Sequence, residues 1–262
     1  MKIIGISLVR NEDLYIERAL LNVMDFCDEI IVLDNMSTDN TYQVVEKMTK
    51  KYPSTKLQKI AKGNKSQSII SHYAGTPTWL FKVDGDEIYD PVGLQEVRKR
   101  VMTGEYQKYW RLEGNSINCT ELDLQKKTAV GYSSPPSKVA PFLYNFSVID
   151  SWEEENEQRL HGENIVFKDG FGKNNRFLFF EKYDWENSPF RCLHICFIRR
   201  SSLEEGTKNA RLNARENSYF FPKALNFLRN LLKGNLSFGS KYKQAAYKRG
   251  GLCSTRIDAF FD

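Results

Sequence analysis

The chain has little of what staples, anchors or marks out special classes of protein. Its five cysteines in 262 residues (Cys27, Cys119, Cys192, Cys196, Cys253) are odd in number and scattered. They make no disulfide framework and read as reduced thiols of a cytosolic protein. No run of 18 apolar residues occurs, so no membrane-spanning helix is expected. The first apolar stretch, Ile3 to Val9, gives way at once to Arg10-Asn11-Glu12. It is too short, and its exit too polar, for a signal peptide. Cys192 and Cys196 have no second Cys/His pair at useful spacing, which argues against zinc. Neither a Walker phosphate loop nor Gly-x-Gly-x-x-Gly follows the first strand-like run. A calcium loop fails as well. Counted from Asp84 the fifth position is Ile88, and counted from Asp34 the sixth is Asp39, where glycine is needed.

What is present is an ordinary globular mixture, 41% hydrophobic, 27% charged and 13% aromatic. The length suits one compact unit near the upper limit for a single core. Lys and Arg total 38 against 33 Asp and Glu, a mild +5 whose meaning depends on position. Most of the excess lies late: between Lys208 and Arg256 eleven basic residues face Glu216 alone. Leu225, Phe227, Leu228, Leu231 and Leu232 add an apolar face there. Such a stretch suits an anionic membrane surface, an acidic ligand, or simply a solvated face with a C-terminal lid. No nucleic-acid recognition motif accompanies the charge, so nucleic acid is not an expected partner.

The first hundred residues alternate. Lys2 to Val9, Glu29 to Asp34, Thr55 to Ile60 and Thr78 to Val83 read as strands, the first two and the last as buried apolar runs. Between them helices are expected from Asp13 to Phe26, capped by Asn11 or Asp13, and from Ser37 or Asp39 to about Lys51. A short helix is expected from Ser66 to Ala74, and another after Asp90-Pro91, a cap followed by proline at the first helical position, to about Met102. This order implies βαβ units, a mostly parallel sheet and ligands beyond the carboxyl ends of the strands. Polar residues gather at those ends: Asn11-Glu12, Asp34-Asn35, Lys62-Gly63-Asn64 and Asp84-Gly85-Asp86. Past residue 105 the expectations are strands at Tyr106 to Leu112, Phe177 to Phe180 and Leu193 to Ile198, a hairpin within 128–150, and helices near 203–217 and 222–233. The chain divides into a nucleotide-binding half, 1–104, and a more variable half, 105–262, of one compact unit.

Asp84-Gly85-Asp86 is the central feature. Two carboxylates separated by a residue without a side chain end a buried strand and can reach one crevice. Hard cations such as Mg²⁺ and Mn²⁺ take oxygen ligands and are commonly shared between one or two carboxylates and a phosphate. The plain alternative is a solvated turn.

Three blocks, Leu8-Val9-Arg10-Asn11-Glu12, Ile31-Val32-Leu33-Asp34-Asn35-Met36-Ser37-Thr38-Asp39-Asn40-Thr41 and Trp79-Leu80-Phe81-Lys82-Val83-Asp84-Gly85-Asp86-Glu87, resemble those of a family 2 glycosyltransferase of GT-A fold. The likeness covers about residues 3–100, and the order and spacing of the blocks make it specific. It implies a nucleotide-sugar donor, most often a uridine nucleotide, and Mn²⁺ or Mg²⁺. Val9, Asn11 and Glu12 would line the nucleotide pocket, and Asp34 would meet the base or ribose. Lys62, Asn64 and Lys65 would lie in a loop near the nucleotide. Asp84, with Gly85 beside it, would face the ribose or donor sugar, and Asp86 would hold the metal. Asp39 is expected to cap its helix. Glu87 would stand behind the metal or charge a helix start.

An inverting enzyme of this kind needs a carboxylate base for the acceptor hydroxyl. The candidates are Glu154, then Glu153, then Asp150, with Trp152 as a platform for a sugar face. The alternative for these acids is a solvated helix start. His194, in an apolar run, is a candidate third metal ligand or a core histidine, and His161 a weaker candidate. Arg199 and Arg200 meet a diphosphate or face solvent. The expected activity is transfer of a sugar from a nucleotide donor to a hydroxyl of a glycan or glycolipid, with inversion, in the cytoplasm or peripherally at the inner membrane face. The rival readings are a sugar-nucleotide pyrophosphorylase, whose glycine-rich basic loop after the first strand is missing, and a non-catalytic nucleotide-sugar or glycan-binding protein.

Overall fold

The structure, a computed structural model, describes residues 1–61, 69–138, 141–152, 165–203 and 245–261. The chain opens with β1 (Lys2–Val9), α1 (Ile16–Val23), β2 (Glu29–Asp34), α2 (Thr41–Lys51), β3 (Thr55–Lys59), β4 (Thr78–Lys82), β5 (Glu87–Tyr89) and α3 (Pro91–Met102). Strands β6 (Arg111–Glu113), β7 (Asn115–Asp123), β8 (Thr128–Ser134), β9 (Phe142–Asn145), β10 (Ile149–Trp152), β11 (Ile165–Phe167), β12 (Arg176–Leu178), β13 (Arg191–His194) and β14 (Leu252–Arg256) follow, and α4 (Asp258–Phe261) ends the described chain.

The central sheet has seven strands in the order β12-β6-β9-β4-β1-β2-β3. The β4-β1-β2-β3 part is parallel, and β9 enters antiparallel between β4 and β6. Strand β1 is paired on both sides, so its side chains alternate between two covered faces rather than between core and water. Ile3 and Val9 join the core beneath α1, α2 and α3, with Phe26, Val45, Phe81, Leu94 and Val97. Ile4 and Ile6 join the opposite core, with Leu80, Trp110, Tyr144, Phe146 and Trp152. A second sheet, β14-β8-β7-β13-β5, holds the residues that follow Asp86. A two-stranded sheet pairs β10 with β11.

The strands of the first hundred residues lie close to where their apolar runs predict them, and Asp90 caps α3 by accepting from Val92 and Gly93 at 3.0 and 3.1 Å. Other elements differ from expectation. Helix α1 starts at Ile16, three residues late, because Asp13 turns away to accept from Ser202 and Asn40. Tyr106 to Trp110 is a buried turn rather than a strand, and β6 begins only at Arg111. The hairpin is formed earlier than expected, by β7 and β8, since β9 crosses back into the central sheet. Phe179 to Glu181 forms a 3-10 turn. Of the short helix expected over 66–74, residues 66–68 lie outside the described residues, Ile69 and Ile70 are helical, and Ser71 to Tyr73 continue as a 3-10 turn. The helices expected near 203–217 and 222–233 lie outside the described residues.

Candidate active site

Parallel pairing brings the carboxyl ends of β2, β1 and β4 side by side, and the three turns that leave them lock together. Asn11 sits at φ +54°, a left-handed conformation asparagine tolerates. Its side chain accepts from the Thr38 amide at 2.8 Å and donates to the Thr38 hydroxyl, while its own amide donates to Ser37 Oγ. The Glu12 amide donates to Thr41 Oγ1 at 2.8 Å. Asn40, not the expected Asp39, is the N-cap of α2; Asp39 lies one residue before it and accepts from the Thr41 amide at 2.9 Å and from the Ser201 hydroxyl at 2.6 Å. Val9 packs its side chain into the core, and its carbonyl accepts from Asn35. Asp34 is fully buried. Its Oδ2 accepts from the Ser37 amide at 3.2 Å, and its Oδ1 has no hydrogen-bond partner among the described residues. A buried carboxylate oxygen without a donor is costly, so a ligand hydroxyl or N–H there would be gained cheaply.

The acidic turn after β4 is wired on both sides. Lys82 Nζ lies 2.9 Å from Asp84 Oδ2 and 2.9 Å from Glu87 Oε1. Tyr89 donates its hydroxyl proton to Glu87 Oε2 at 2.8 Å. Burial pushes the Glu87 carboxyl up to about 7. The Lys82 ammonium pulls the other way, and the neighbouring Asp84 and Asp86 add to the rise. Gly85 is required by its neighbour: a Cβ there would sit 2.4 Å from Glu12 Oε2. Glu87 thus stands behind the turn, in contact with Lys82 and Tyr89, rather than at a helix start.

Asp86 is fully buried. Its Oδ2 lies 2.9 Å from Arg200 Nη1 and 3.6 Å from His194 Nε2. The same Arg200 nitrogen is 2.9 Å from Glu12 Oε1, so one guanidinium joins the first and third turns. Of the two arginines whose role was open, Arg199 is exposed and bonds to the Ser201 and Ser202 carbonyls, whereas Arg200 is buried in the site. The Arg200 carbonyl accepts from the Leu14 amide, and Ser202 bonds to Asp13. The 200–202 segment is therefore clipped to the ends of β1 and β2 at four points.

His194 reaches Asp86 through register. The turn ends in β5, which pairs with β13 so that Glu87 faces His194, and β13 pairs with β7 so that His194 faces Asn118. The Ile195 amide donates to the Asp86 carbonyl at 2.7 Å and closes the row. His194 Nδ1 lies 2.8 Å from Asn118 Oδ1. Sequence reasoning missed Asn118 and the bridging role of Lys82. Asn118 was not legible, because only the register of β7 against β13 places it beside a histidine 76 residues away. Lys82 was visible as a lone charge ending an apolar strand two residues before Asp84.

Other candidates stand apart. Trp152 is a core residue, stacked on Phe146 at 5.3 Å, so it offers no face to a sugar. Asp150 is exposed on β10, and no hydrogen bond or ion pair among the described residues joins it to the Asp84–Asp86 turn. Glu153, Glu154, His161, Lys62, Asn64 and Lys65 lie outside the described residues, as does the basic run from Lys208 to Lys243. Among the described residues no three His, Cys, Asp or Glu side chains are grouped to hold a metal ion. Asp86 and His194 do present an oxygen and a nitrogen 3.6 Å apart. That pair suits Mn²⁺, an ion that can take its remaining ligands from phosphate and water. No helix among the described residues is long and apolar enough to cross a membrane.

A central, mostly parallel sheet with polar turns at its carboxyl edge makes this an α/β protein of the kind that binds ligands beyond the ends of its strands. Residues 6–110 match the family model described as glycosyl transferase family 2. Solved structures similar to the chain include a mannosyltransferase from Pyrobaculum calidifontis, solved with GDP-Man and Mn²⁺ (18% identity, TM-score 0.33, 46% of this chain and 36% of that one). Glucosyl-3-phosphoglycerate synthase from Mycobacterium tuberculosis, solved with Mn²⁺, UDP and glucosyl-3-phosphoglycerate, is another (19% identity, TM-score 0.35, 56% and 57%). A third is 4-diphosphocytidyl-2C-methyl-D-erythritol synthase from Anaerococcus prevotii (13% identity, TM-score 0.34, 55% and 70%). The chain spans about a third of the length of the mannosyltransferase and little more than half that of the synthase from Mycobacterium. No curated protein matches it.

Proposed function

We propose that the chain transfers a sugar from a nucleotide-sugar donor, a uridine nucleotide in the first instance, to a hydroxyl of a glycan or lipid-linked acceptor. The observation that carries this reading is the meeting of Asp86, His194 and Arg200 at the end of β4, on the same carboxyl edge of the sheet as the buried Asp34 at the end of β2. The unpartnered Asp34 Oδ1 suits a base N–H or a ribose hydroxyl. Asp86 and His194 would hold Mn²⁺ or Mg²⁺. A bound ion supplies neutralisation of the charge that collects on a departing diphosphate. Arg200 brings a second positive charge to the same place, and Lys82 holds Asp84 by an ion pair at 2.9 Å.

In a single displacement the acceptor oxygen bonds to the anomeric carbon as the bond from that carbon to the diphosphate oxygen breaks. The hydroxyl proton passes to a carboxylate base, with Glu154, Glu153 and Asp150 the candidates in that order. The nucleoside diphosphate leaves and the anomeric centre inverts. The basic stretch from Lys208 to Arg256 suits an acidic or lipid-linked acceptor.

The test is product release. The chain is incubated with a panel of nucleotide sugars, Mn²⁺ and candidate acceptors, and the nucleotide product is measured. Release of nucleoside diphosphate is expected, with losses of at least about a hundredfold in Asp86→Ala and His194→Ala, in line with removal of charge-stabilising groups. Formation of pyrophosphate from a nucleoside triphosphate and a sugar 1-phosphate would instead make the chain a pyrophosphorylase. Tight nucleotide-sugar binding with no turnover across the panel would make it a binding protein.

A further inference from the structure

We propose that Asn118 is a positioning residue for the metal site. It holds His194 as the Nδ1–H tautomer and so turns Nε2, as the electron-pair donor, toward the cation shared with Asp86. The inference rests on the reading of Asp86 and His194 as metal ligands and adds to it a residue that no motif marks.

The orientation of the Asn118 amide is decided by its partners. Asn118 is fully buried in β7. One end of its amide lies 3.1 Å from the carbonyl oxygen of Tyr247. A backbone carbonyl only accepts, so the atom facing it is Nδ2, the donor end. The other end, Oδ1, is then the acceptor and lies 2.8 Å from His194 Nδ1. The thiol of Cys196, a weak donor 3.9 Å away, faces the same oxygen. With an oxygen opposite, Nδ1 carries its proton, and in the neutral imidazole Nε2 is left as the acceptor nitrogen. Nε2 lies 3.6 Å from Asp86 Oδ2. A divalent cation bound beside that oxygen of Asp86, which the Arg200 guanidinium also meets, would take the Nε2 electron pair. His194 is buried, so its ring cannot turn to exchange its nitrogens without leaving Asn118 Oδ1 and the Tyr247 side of the pocket, where the two rings lie 5.4 Å apart. A partner that fixes the ring tautomer in this way is what makes a histidine a dependable ligand, and its removal typically costs 10–100-fold in metal affinity.

The test begins with the metal-free wild-type chain. Long-range proton–nitrogen NMR correlations on ¹⁵N-labelled protein, at a pH where the imidazole is neutral, report which ring nitrogen is protonated. The chain has three histidines, and His194→Gln assigns the signal. Protonation at Nδ1 is expected, and protonation at Nε2 overturns the proposal. Mn²⁺ binding is then followed by electron paramagnetic resonance in the presence of UDP. Asn118→Leu is expected to mix the tautomers and to weaken Mn²⁺ by roughly 10–100-fold. Asn118→Asp keeps an acceptor opposite Nδ1–H, although its second oxygen loses the donation to the Tyr247 carbonyl, and is expected to hold the Nδ1–H tautomer that Asn118→Leu loses. It also serves as the comparison should the leucine variant fold poorly. Unchanged Mn²⁺ affinity in a folded Asn118→Leu chain overturns the role of Asn118 and leaves the metal reading intact. A wild-type chain that binds no Mn²⁺ with any nucleotide overturns the metal reading itself, and the positioning role with it.

Discussion

Arg200 ties two buried carboxylates with one nitrogen, and both depend on it for charge balance. Removing one partner of a buried ion pair costs about 3–5 kcal/mol, because the other is left buried and charged. Arg200→Met is expected to lower stability by that order in urea unfolding. Because a divalent cation and the guanidinium favour the same oxygen of Asp86, Mn²⁺ should raise the melting temperature of this variant more than that of wild type. An equal or smaller rise would mean that the ion and Arg200 do not share Asp86. Glu87 gives a pH test. Its carboxyl is raised to about 7 by burial, while an unfolded chain would titrate it near the ordinary glutamate value of 4.5. Between those values the folded chain holds a proton the unfolded one has lost, so stability falls as pH rises through this window. The contribution is full below about 4.5 and gone above about 7. Glu87→Gln, which keeps an acceptor for Tyr89 but cannot ionise, should flatten that part of the stability profile, and an unchanged slope would contradict the assignment.

At the scale of elements, the turn and helix that follow β4 are set by three neighbouring choices in the sequence. Gly85 lets Glu12 cross the turn, since any Cβ would meet its Oε2. Gly85→Ala is expected to cost about 1–3 kcal/mol through overpacking and to weaken nucleotide binding, because Glu12 must move and Arg200 with it. Urea unfolding and UDP titration read the two effects. Asp90 caps α3 and also receives Arg191 at 2.9 Å, which fastens the helix start to β13, the strand that carries His194. Asp90→Ala should cost at least about 1 kcal/mol from the cap alone, and more because Arg191 loses its partner. Elements of this kind are readable because their causes are local: an apolar run, a cap, a proline at the first helical position. The start of α1 was not, because Asp13 is claimed by Ser202, 189 residues further along the chain. The turn at Tyr106 to Trp110 was not either. Its aromatic residues pack into two different cores and look like a strand only by composition.

At the scale of the whole molecule, the placement of Asp34, Asp84 and Asp86 was legible, since they sit at the ends of strands whose patterns are plain. The rest is assembled by pairing between distant segments. His194 meets Asp86 only because β5 leaves the central sheet to join β13, and Asn118 meets His194 only because β7 lies next. Arg200 arrives on a segment that bonds back to Asp13, Asp39 and Leu14. No local pattern announces such contacts, which is why Arg200, and not Arg199, joins His194 in a buried cluster only in three dimensions. A ligand that binds only the folded chain stabilises it, by about 2.7 kcal/mol at a hundred times its dissociation constant. UDP with Mn²⁺ should therefore protect wild type against unfolding, and the metal-dependent share should vanish in Asp86→Ala. The most direct measurement is a crystal of the wild-type chain grown with UDP and Mn²⁺, examined by anomalous scattering at the manganese edge. One peak is predicted, bonded to Asp86 and to Nε2 of His194 with the diphosphate against it. A manganese peak held by other residues, or UDP bound with no manganese near Asp86, would contradict the account.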